Sequence, residues 1–191
     1  MSRVVVSEFV SLDGVMEDPG GAEGTEHGGW TFQFDQGADG VKFKVDELTA
    51  ADALLLGAVT YRGFAAAWPS MEGTGEFGER MNSIRKYVVS STLTEADASW
   101  NNTTVIRGDV PAEVAKLKAH PGGDLLVAGS GQLARSLIDL GLVDEYRLMV
   151  FPIVLGSGKR LFSGISGTPK LSLVEAKTTG SGLLLLTYQP A

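Results

Sequence analysis

Apolar and polar residues sort this chain into short runs with two periods. Arg3–Val10, RVVVSEFV, is rich in β-branched residues and reads as a strand. It meets Ser11-Leu12-Asp13-Gly14, a turn in which aspartate can bond its own backbone and glycine can take positive φ. From Met16 to Trp30 apolar anchors are few and Gly, Glu and Pro dominate, which predicts a long loop of the kind that often serves as a lid. Trp30, Phe32 and Phe34 then alternate, either as a ligand wall or as anchors of that loop on the core. Gly40–Ala51 places Val41, Val45, Leu48 and Thr49 on one face and predicts a short amphipathic helix. Ala53–Leu56 is wholly apolar, as a strand buried on both faces should be. Gly57-Ala58-Val59-Thr60 leads into a helix, YRGFAAAW, with Thr60 placed to cap it.

The same alternation continues. A Gly/Glu loop over Pro69–Gly78 precedes a strand at Ile84–Val89, which ends in the hydroxyls of Ser90-Ser91-Thr92. Thr103–Arg107 reads as a strand, and Pro111–Ala119 as a helix with proline in its first turn. Leu125–Ala128 is a buried strand, followed by the turn Gly129-Ser130-Gly131, a helix, and a further strand at Tyr146–Phe151. After the glycine turn Gly156-Ser157-Gly158, two antiparallel strands, Leu171–Lys177 and Leu183–Tyr188, close the chain. Strands alternating with helices predict an α/β domain whose central sheet is mostly parallel, flanked by helices and completed by a C-terminal hairpin. No linker or repeat divides the 191 residues, so one domain over 1–191 is expected.

Composition narrows the chemistry. A net charge of -7 argues against nucleic-acid and anionic-membrane partners, which need clustered Lys and Arg. With no cysteine and two histidines, thiol catalysis, disulfides, cysteine-ligated zinc and multi-histidine metal sites are not expected, and the site should hold no metal. His120 stands at a helix end where a cation suits the dipole, and His27 lies in the Gly-rich loop. No apolar run reaches a membrane span, and Met1-Ser2-Arg3 runs straight into a strand, so a cytoplasmic protein is expected.

Three strands end in turns of polar or glycine residues, at Gly57, Ser90 and Gly129. In an open parallel sheet such ends converge on one cleft. A glycine turn before a helix lets backbone N–H groups approach an anion, and the helix N-terminus adds about half a positive charge. Gly129-Ser130-Gly131-Gln132-Leu133-Ala134 matches the dinucleotide-binding pattern with alanine last, although it comes late in the domain. The strand after it, RLMVF, also lacks the terminal acidic residue that would hold a ribose. A turn shaped by packing alone would explain the glycines as well.

Four segments together carry a resemblance: SLDG (Ser11–Gly14), LLLGAVTY (Leu54–Tyr61), VVSSTL (Val88–Leu93) and AGSGQLARSLIDLGLVDEYRL…PIVLGSG (Ala128–Gly158). In order and spacing the chain resembles the dihydrofolate-reductase-like superfamily. Within it, the chain resembles the riboflavin-biosynthesis reductase domain that forms the C-terminal half of bacterial deaminase–reductases, here as a stand-alone member. The resemblance implies a mixed sheet of about eight strands and an NADPH-dependent oxidoreductase, with NADH not excluded. It places Gly57 and Thr60 at the diphosphate or ribose, Val89 beside the adenine, Ser90 and Ser91 at the 2′-phosphate with Arg107 as the nearby cation, and Gly129, Ser130, Gly131, Gln132 and Leu133 along the diphosphate. Ala58 departs from the family, where a basic residue usually follows the glycine, so Arg62 or Arg107 would have to supply the charge.

On the substrate side the resemblance makes Asp13 the first candidate for a catalytic role, with a simple turn-former as the competing reading. Gly14, Trp30, Phe32 and Glu145 are the further substrate candidates. Val41 or Lys42 falls where a folate reductase carries its helix carboxylate, with Asp39 and Asp46 to either side, which argues against folate. The substrate expected is a small polar carbonyl, imine or heterocycle, with 5-amino-6-(5-phosphoribosylamino)uracil one possibility. No cysteine is present to hold the zinc of a partner deaminase, so a fused deaminase is not expected within these residues. A nucleotide-binding or sensory protein that kept the fold and lost catalysis is the alternative, and a purely structural module a third reading. Relatives are commonly dimeric, so a homodimer is expected, with Leu148–Val154 as a candidate contact.

Overall fold

The computed structural model describes all 191 residues. Eight strands form one sheet in the order β4-β3-β2-β5-β1-β6-β8-β7: β1 (Val4–Ser11), β2 (Ala51–Gly57), β3 (Arg85–Val89), β4 (Thr103–Ile106), β5 (Asp124–Ala128), β6 (Glu145–Phe151), β7 (Leu171–Thr178) and β8 (Leu184–Pro190). The first six are mutually parallel, and β8 pairs antiparallel with both β6 and β7. Five helices connect them: α1 (Gly37–Ala50), α2 (Ala58–Ala67), α3 (Gly75–Ser83), α4 (Val110–Ala119) and α5 (Gly131–Asp139). This is the dihydrofolate-reductase-like α/β architecture that the resemblance implies.

The two-residue period of β1 divides the core. Val4, Val6 and Val10 point to the face covered by Val114 of α4 and by Leu133, Ala134, Leu137 and Ile138 of α5. Val5 points to the other face, with Leu48 of α1, Tyr61 of α2 and Met81 of α3. β2 splits the same way: Ala53 and Leu55 serve one face, Leu54 and Leu56 the other, all 2 % exposed or less. Each such leucine contributes about 1.5–3 kcal/mol of transfer free energy. A smaller aromatic cluster centres on Phe151, which Trp30 meets edge-on at 5.2 Å between ring centroids.

Several local expectations change. Helix α3 (Gly75–Ser83) begins inside the stretch Pro69–Gly78, read from the sequence as a loop; Met81 is buried and supplies the packing that propensity lacks. α2 begins at Ala58, so Thr60 lies inside its first turn and does not cap it. Val41 and Val45 of α1 are exposed, and the helix instead buries Gly40, Glu47 and Leu48. Gly40 packs against Met149, and an added Cβ would crowd Gln36 Cβ, at 2.9 Å, rather than Met149. Leu148, Met149 and Phe151 belong to β6, which is hydrogen-bonded on both sides and buried, whereas Val154 beyond it is exposed.

Topology then sets where a ligand fits. β2 feeds α2 on one face, whereas its neighbour β5 feeds α5 on the opposite face. The chain therefore departs in opposite directions from two adjacent strand ends, which opens a crevice at their carboxyl ends.

Candidate functional site

Two turns make that crevice. Gly129 and Ser130 both adopt left-handed backbone conformation, with φ of 61° each. For serine this conformation costs on the order of 1 kcal/mol and is held only by its surroundings. Those surroundings are the facing turn: the Ser130 amide donates to Thr60 Oγ1 at 2.9 Å, and the Gly57 amide donates to Ser130 Oγ at 2.9 Å. A side chain at position 129 would meet Thr60 Cγ2 at 3.1 Å, so only glycine allows this approach. Of the five helices only α4 has a side-chain cap, Asp109, whose Oδ1 accepts from the Ala112 amide at 3.0 Å, and α2 and α5 are among those without one. The two helices lining the crevice thus leave their first-turn N–H groups for an external acceptor. Gln132 is exposed beside them, and Leu133 is buried beneath.

Met16 lies over the start of α5, its Sδ 2.8 Å from where a Cβ on Gly131 would be. Arg135 reaches the same place, its Nη1 3.2 Å from that Cβ and donating to the Arg160 carbonyl at 3.1 Å. Sequence reading missed this cation, although its position one turn after Gly131 points its side chain back over the helix start.

At the ends of β3 and β4 the other nucleotide candidates gather. The Ser90 amide donates to the Ile106 carbonyl at 3.1 Å, which brings Ser90, Ser91 and Arg107 together beside half-buried Val89. Ser90 Oγ accepts from the amides of Thr92 and Leu93, at 3.2 and 2.9 Å, and so shapes the turn. Ser91 is exposed. Arg107 donates to Glu95 at 2.8 Å and to the Leu93 carbonyl at 2.6 Å, which ties down the loop after β3. Arg62 is exposed and lies near enough to Asp97 to help hold that carboxyl below the usual range, after the larger effect of Thr94.

Asp13 is a clasp between two turns. Its carboxylate accepts from Ser11 Oγ at 2.6 Å, from the Leu155 and Gly156 amides at 3.1 and 2.9 Å, and from Arg160 at 3.2 Å. The Ser11 hydroxyl, followed by the two amides, holds its pKa well below the usual aspartate value. A carboxylate so fully bonded and so firmly ionised is neither a proton donor nor an available base. The turn-forming reading is the one this geometry supports. Gly14, with φ of 81°, closes the same turn, and its carbonyl accepts from the Leu161 amide at 3.2 Å.

The remaining substrate candidates do not gather there. Trp30 is completely buried, and its indole N–H donates to the Glu17 carbonyl at 2.9 Å, so it anchors the long loop. Phe32 is 78 % exposed. Glu145 lies at the amino end of β6, opposite Val5 in β1, and so at the far end of the sheet from the crevice. There it accepts from Arg3 at 2.8 Å and Arg147 at 2.7 Å, and Arg147, Gln189 and Arg3 together hold it below the usual range against its burial. The Met16–Trp30 loop is itself ordered, around buried Asp18, which accepts from the Glu23 and Thr25 amides at 3.0 and 3.1 Å. His27 contacts Ser157 Oγ at 3.1 Å, across a cavity of about 130 Å³ lined also by Val15, Glu17 and Gly158. A larger hollow of about 500 Å³, lined by Asn82, Trp100 and Asn101, lies at the amino ends of β3 and β4, away from the crevice.

Besides Asp18 and Asp124, two further buried carboxyls were not among the sequence candidates. Glu47 of α1 accepts from Ser7 Oγ at 2.7 Å and pairs with Lys44. Glu8 lies in the centre of β1 with no hydrogen bond to one of its oxygens. A charged residue at an inward position of a valine strand was the available signal for Glu8.

Comparison with known proteins agrees with this fold. The chain is 32 % identical over 189 residues to the YyaP protein of Bacillus subtilis (strain 168), covering 97 % of this chain and 94 % of the other. A crystal structure from Shewanella sp. PV-4, of a protein named for riboflavin biosynthesis, superposes with a TM-score of 0.78 at 21 % identity, covering 100 % of this chain and 99 % of that one. A dihydrofolate reductase from Enterococcus faecalis complexed with NADP(H) superposes with a TM-score of 0.62 at 15 % identity, over 98 % of this chain and 96 % of that one. The family model of the RibD C-terminal domain matches residues 2–185, and the chain therefore belongs to the RibD C-terminal domain family.

Proposed function

We propose that the protein is an NADPH-dependent reductase that transfers a hydride to a small polar carbonyl, imine or heterocyclic compound. The observation that carries this reading is the facing pair of uncapped helix starts at Ala58 and Gly131, joined by the Ser130–Thr60 and Gly57–Ser130 hydrogen bonds. Their free amides suit the diphosphate of a dinucleotide, and Gly129 gives it close approach to the backbone. Arg135 at the start of α5 and Arg107 beside Ser90 and Ser91 are the cations available to phosphate oxygens, the second favouring NADPH over NADH. Glu95 and Asp97 partly neutralise Arg107 and Arg62, so some binding of NADH is expected as well.

When bound, the nicotinamide supplies the hydride. The chain's own residues hold the cofactor across the strand ends, and Met16, with the Asp13–Arg160 clasp behind it, shields the crevice from water. Family membership and the likeness to a reductase complexed with NADP(H) support the same reading. Aminouracil compounds of the riboflavin pathway belong in the substrate panel because the family is named for that chemistry. The test is oxidation of NADPH and NADH by the purified protein, followed by loss of nicotinamide absorbance, with aminouracils, pterins, aldehydes and imines. Turnover of at least one carbonyl or imine class is expected. Binding of NADPH with no oxidation across the panel would favour a nucleotide-binding sensor.

A further inference from the structure

Along the face of β1 that packs on α5, the side chains run Val4, Val6, Glu8, Val10. The valines are 5 % exposed or less, and Glu8, at 4 %, is as deeply buried as they are. Glu8 Oε1 is also the one buried side-chain oxygen or nitrogen in the protein without a hydrogen-bond partner. Natural cores rarely leave such a group unpaired, because the desolvation cost is large unless a ligand, water or bound proton answers it.

Its place in the sheet says what could answer it. Ser7, opposite Ala128, is the last β1 residue paired with β5, and Glu8 is the next. On the β6 side Glu8 is still paired, opposite Leu148. On the β5 side it looks past the strand end onto the Gly129 turn, which forms one wall of the crevice. The charged groups that act on it both come from α1: Lys44 favours its ionised form and Glu47 disfavours it. The Gly129 amide also favours ionisation, but burial outweighs both and raises the carboxyl well above the usual glutamate value. Burial thus favours the protonated form of Glu8, whose unpartnered Oε1 lies buried next to the Gly129 turn, whereas Asp13 is ionised and fully bonded.

We propose that Glu8 is the acid that protonates the substrate during reduction, and that it marks the substrate end of the crevice. This rests on the reductase reading above. Hydride from the reduced nicotinamide adds to the carbon of a C=O or C=N group. The π electron pair moves to oxygen or nitrogen, and that atom takes the Glu8 proton. The products are an alcohol or amine, oxidised nicotinamide and a Glu8 carboxylate, which solvent reprotonates after product leaves. A C=O or C=N acceptor is the substrate class implied, since each needs one hydride and one proton.

The test is a comparison of wild type with Glu8→Gln, an isosteric neutral variant. The infrared difference spectrum at pH 7 should show a carboxylic-acid C=O band in wild type that the variant lacks, and saturating NADPH should shift it. Denaturation across pH supplies an independent reading. A carboxyl whose folded pKa is raised above its unfolded value near 4.5 loses stability as pH rises through that interval, so wild type should fall behind Glu8→Gln as pH increases above 4.5. Any compound that wild type reduces should be turned over at least about 100-fold more slowly by the variant, with KM and NADPH affinity unchanged. A Glu8 ionised at pH 7, a band indifferent to NADPH, or an unchanged kcat would overturn the assignment while leaving the reductase reading intact. Failure of wild type to bind NADPH at millimolar concentration would bring down both.

Discussion

Gly129 is the residue on which the crevice depends most. With φ of 61° and Thr60 Cγ2 3.1 Å from any added Cβ, Gly129→Ala meets backbone strain and a steric contact together. A loss of about 1–2 kcal/mol in urea denaturation is expected, with NADPH affinity falling at least tenfold as the turn shifts. Gly131 makes a poorer probe, because a side chain there strikes the Met16 sulfur before it meets any cofactor. Asp13 gives a prediction of the opposite kind. Its carboxyl is held below the usual aspartate value of 3.8, so its contribution to stability is complete above that pH and is lost as pH falls through the folded value. Asp13→Asn should cost about 2 kcal/mol at pH 7 and flatten the acid limb of stability against pH. A variant as stable as wild type at pH 7 would show that the clasp is ornamental.

Helix ends separate binding from stability. Asp109 caps α4, so Asp109→Ala should cost about 1 kcal/mol in thermal denaturation and leave NADPH titration unchanged. The uncapped starts of α2 and α5 should show the reverse, gaining order when the cofactor arrives. Sequence legibility followed the same division. Runs such as ALLL at 53–56 and LLVA at 125–128 declared themselves as strands because they are buried on both faces, and the glycine turns after them were readable for that reason. Helix α3 was not, since its apolar anchors are only two, Phe77 and Met81, one turn apart among glycines and glutamates that read as loop. α1 misled because Val41 and Val45 mimic a buried face, while the true contact is made by Gly40, Glu47 and Leu48, two of which hydropathy scores as non-core. Among site residues, the turn glycines and hydroxyls were legible from strand–turn–helix order. Trp30 and Glu145 were not, because identity alone cannot distinguish an aromatic in the core from one at a ligand, or one end of a sheet from the other. Glu8 and Arg135 escaped for want of a motif; only their register and helical phase set them apart.

The molecule as a whole joins a parallel six-strand body to an antiparallel edge, and its two ends differ in purpose. At the amino ends of the strands, Arg3, Asp124, Glu145 and Arg147 form an ion-pair group, and Lys86 is wholly buried under the Trp100 ring at 4.1 Å while donating to the Asn82 and Asn101 carbonyls. That end stabilises. The carboxyl ends hold the open helix starts, the strained turn and the unpaired acid. The expected homodimer is proposed to use β7, an edge strand whose Leu173 and Val174 are both more than half exposed. Light scattering should then give twice the 20.1 kDa chain mass, and Leu173→Lys should return it to one. No helix is long and apolar enough to cross a membrane.

The central claim is that a nicotinamide dinucleotide lies across the β2 and β5 strand ends. Amide chemical shifts of the ¹⁵N-labelled protein, followed as NADPH is added, test it most directly. The account predicts saturable shifts at Ala58–Thr60 and Gly131–Leu133, with smaller ones at Ser90 and Ser91. No shift at millimolar NADPH, or shifts confined to Asn82, Trp100 and Asn101 at the opposite end of the sheet, would contradict it.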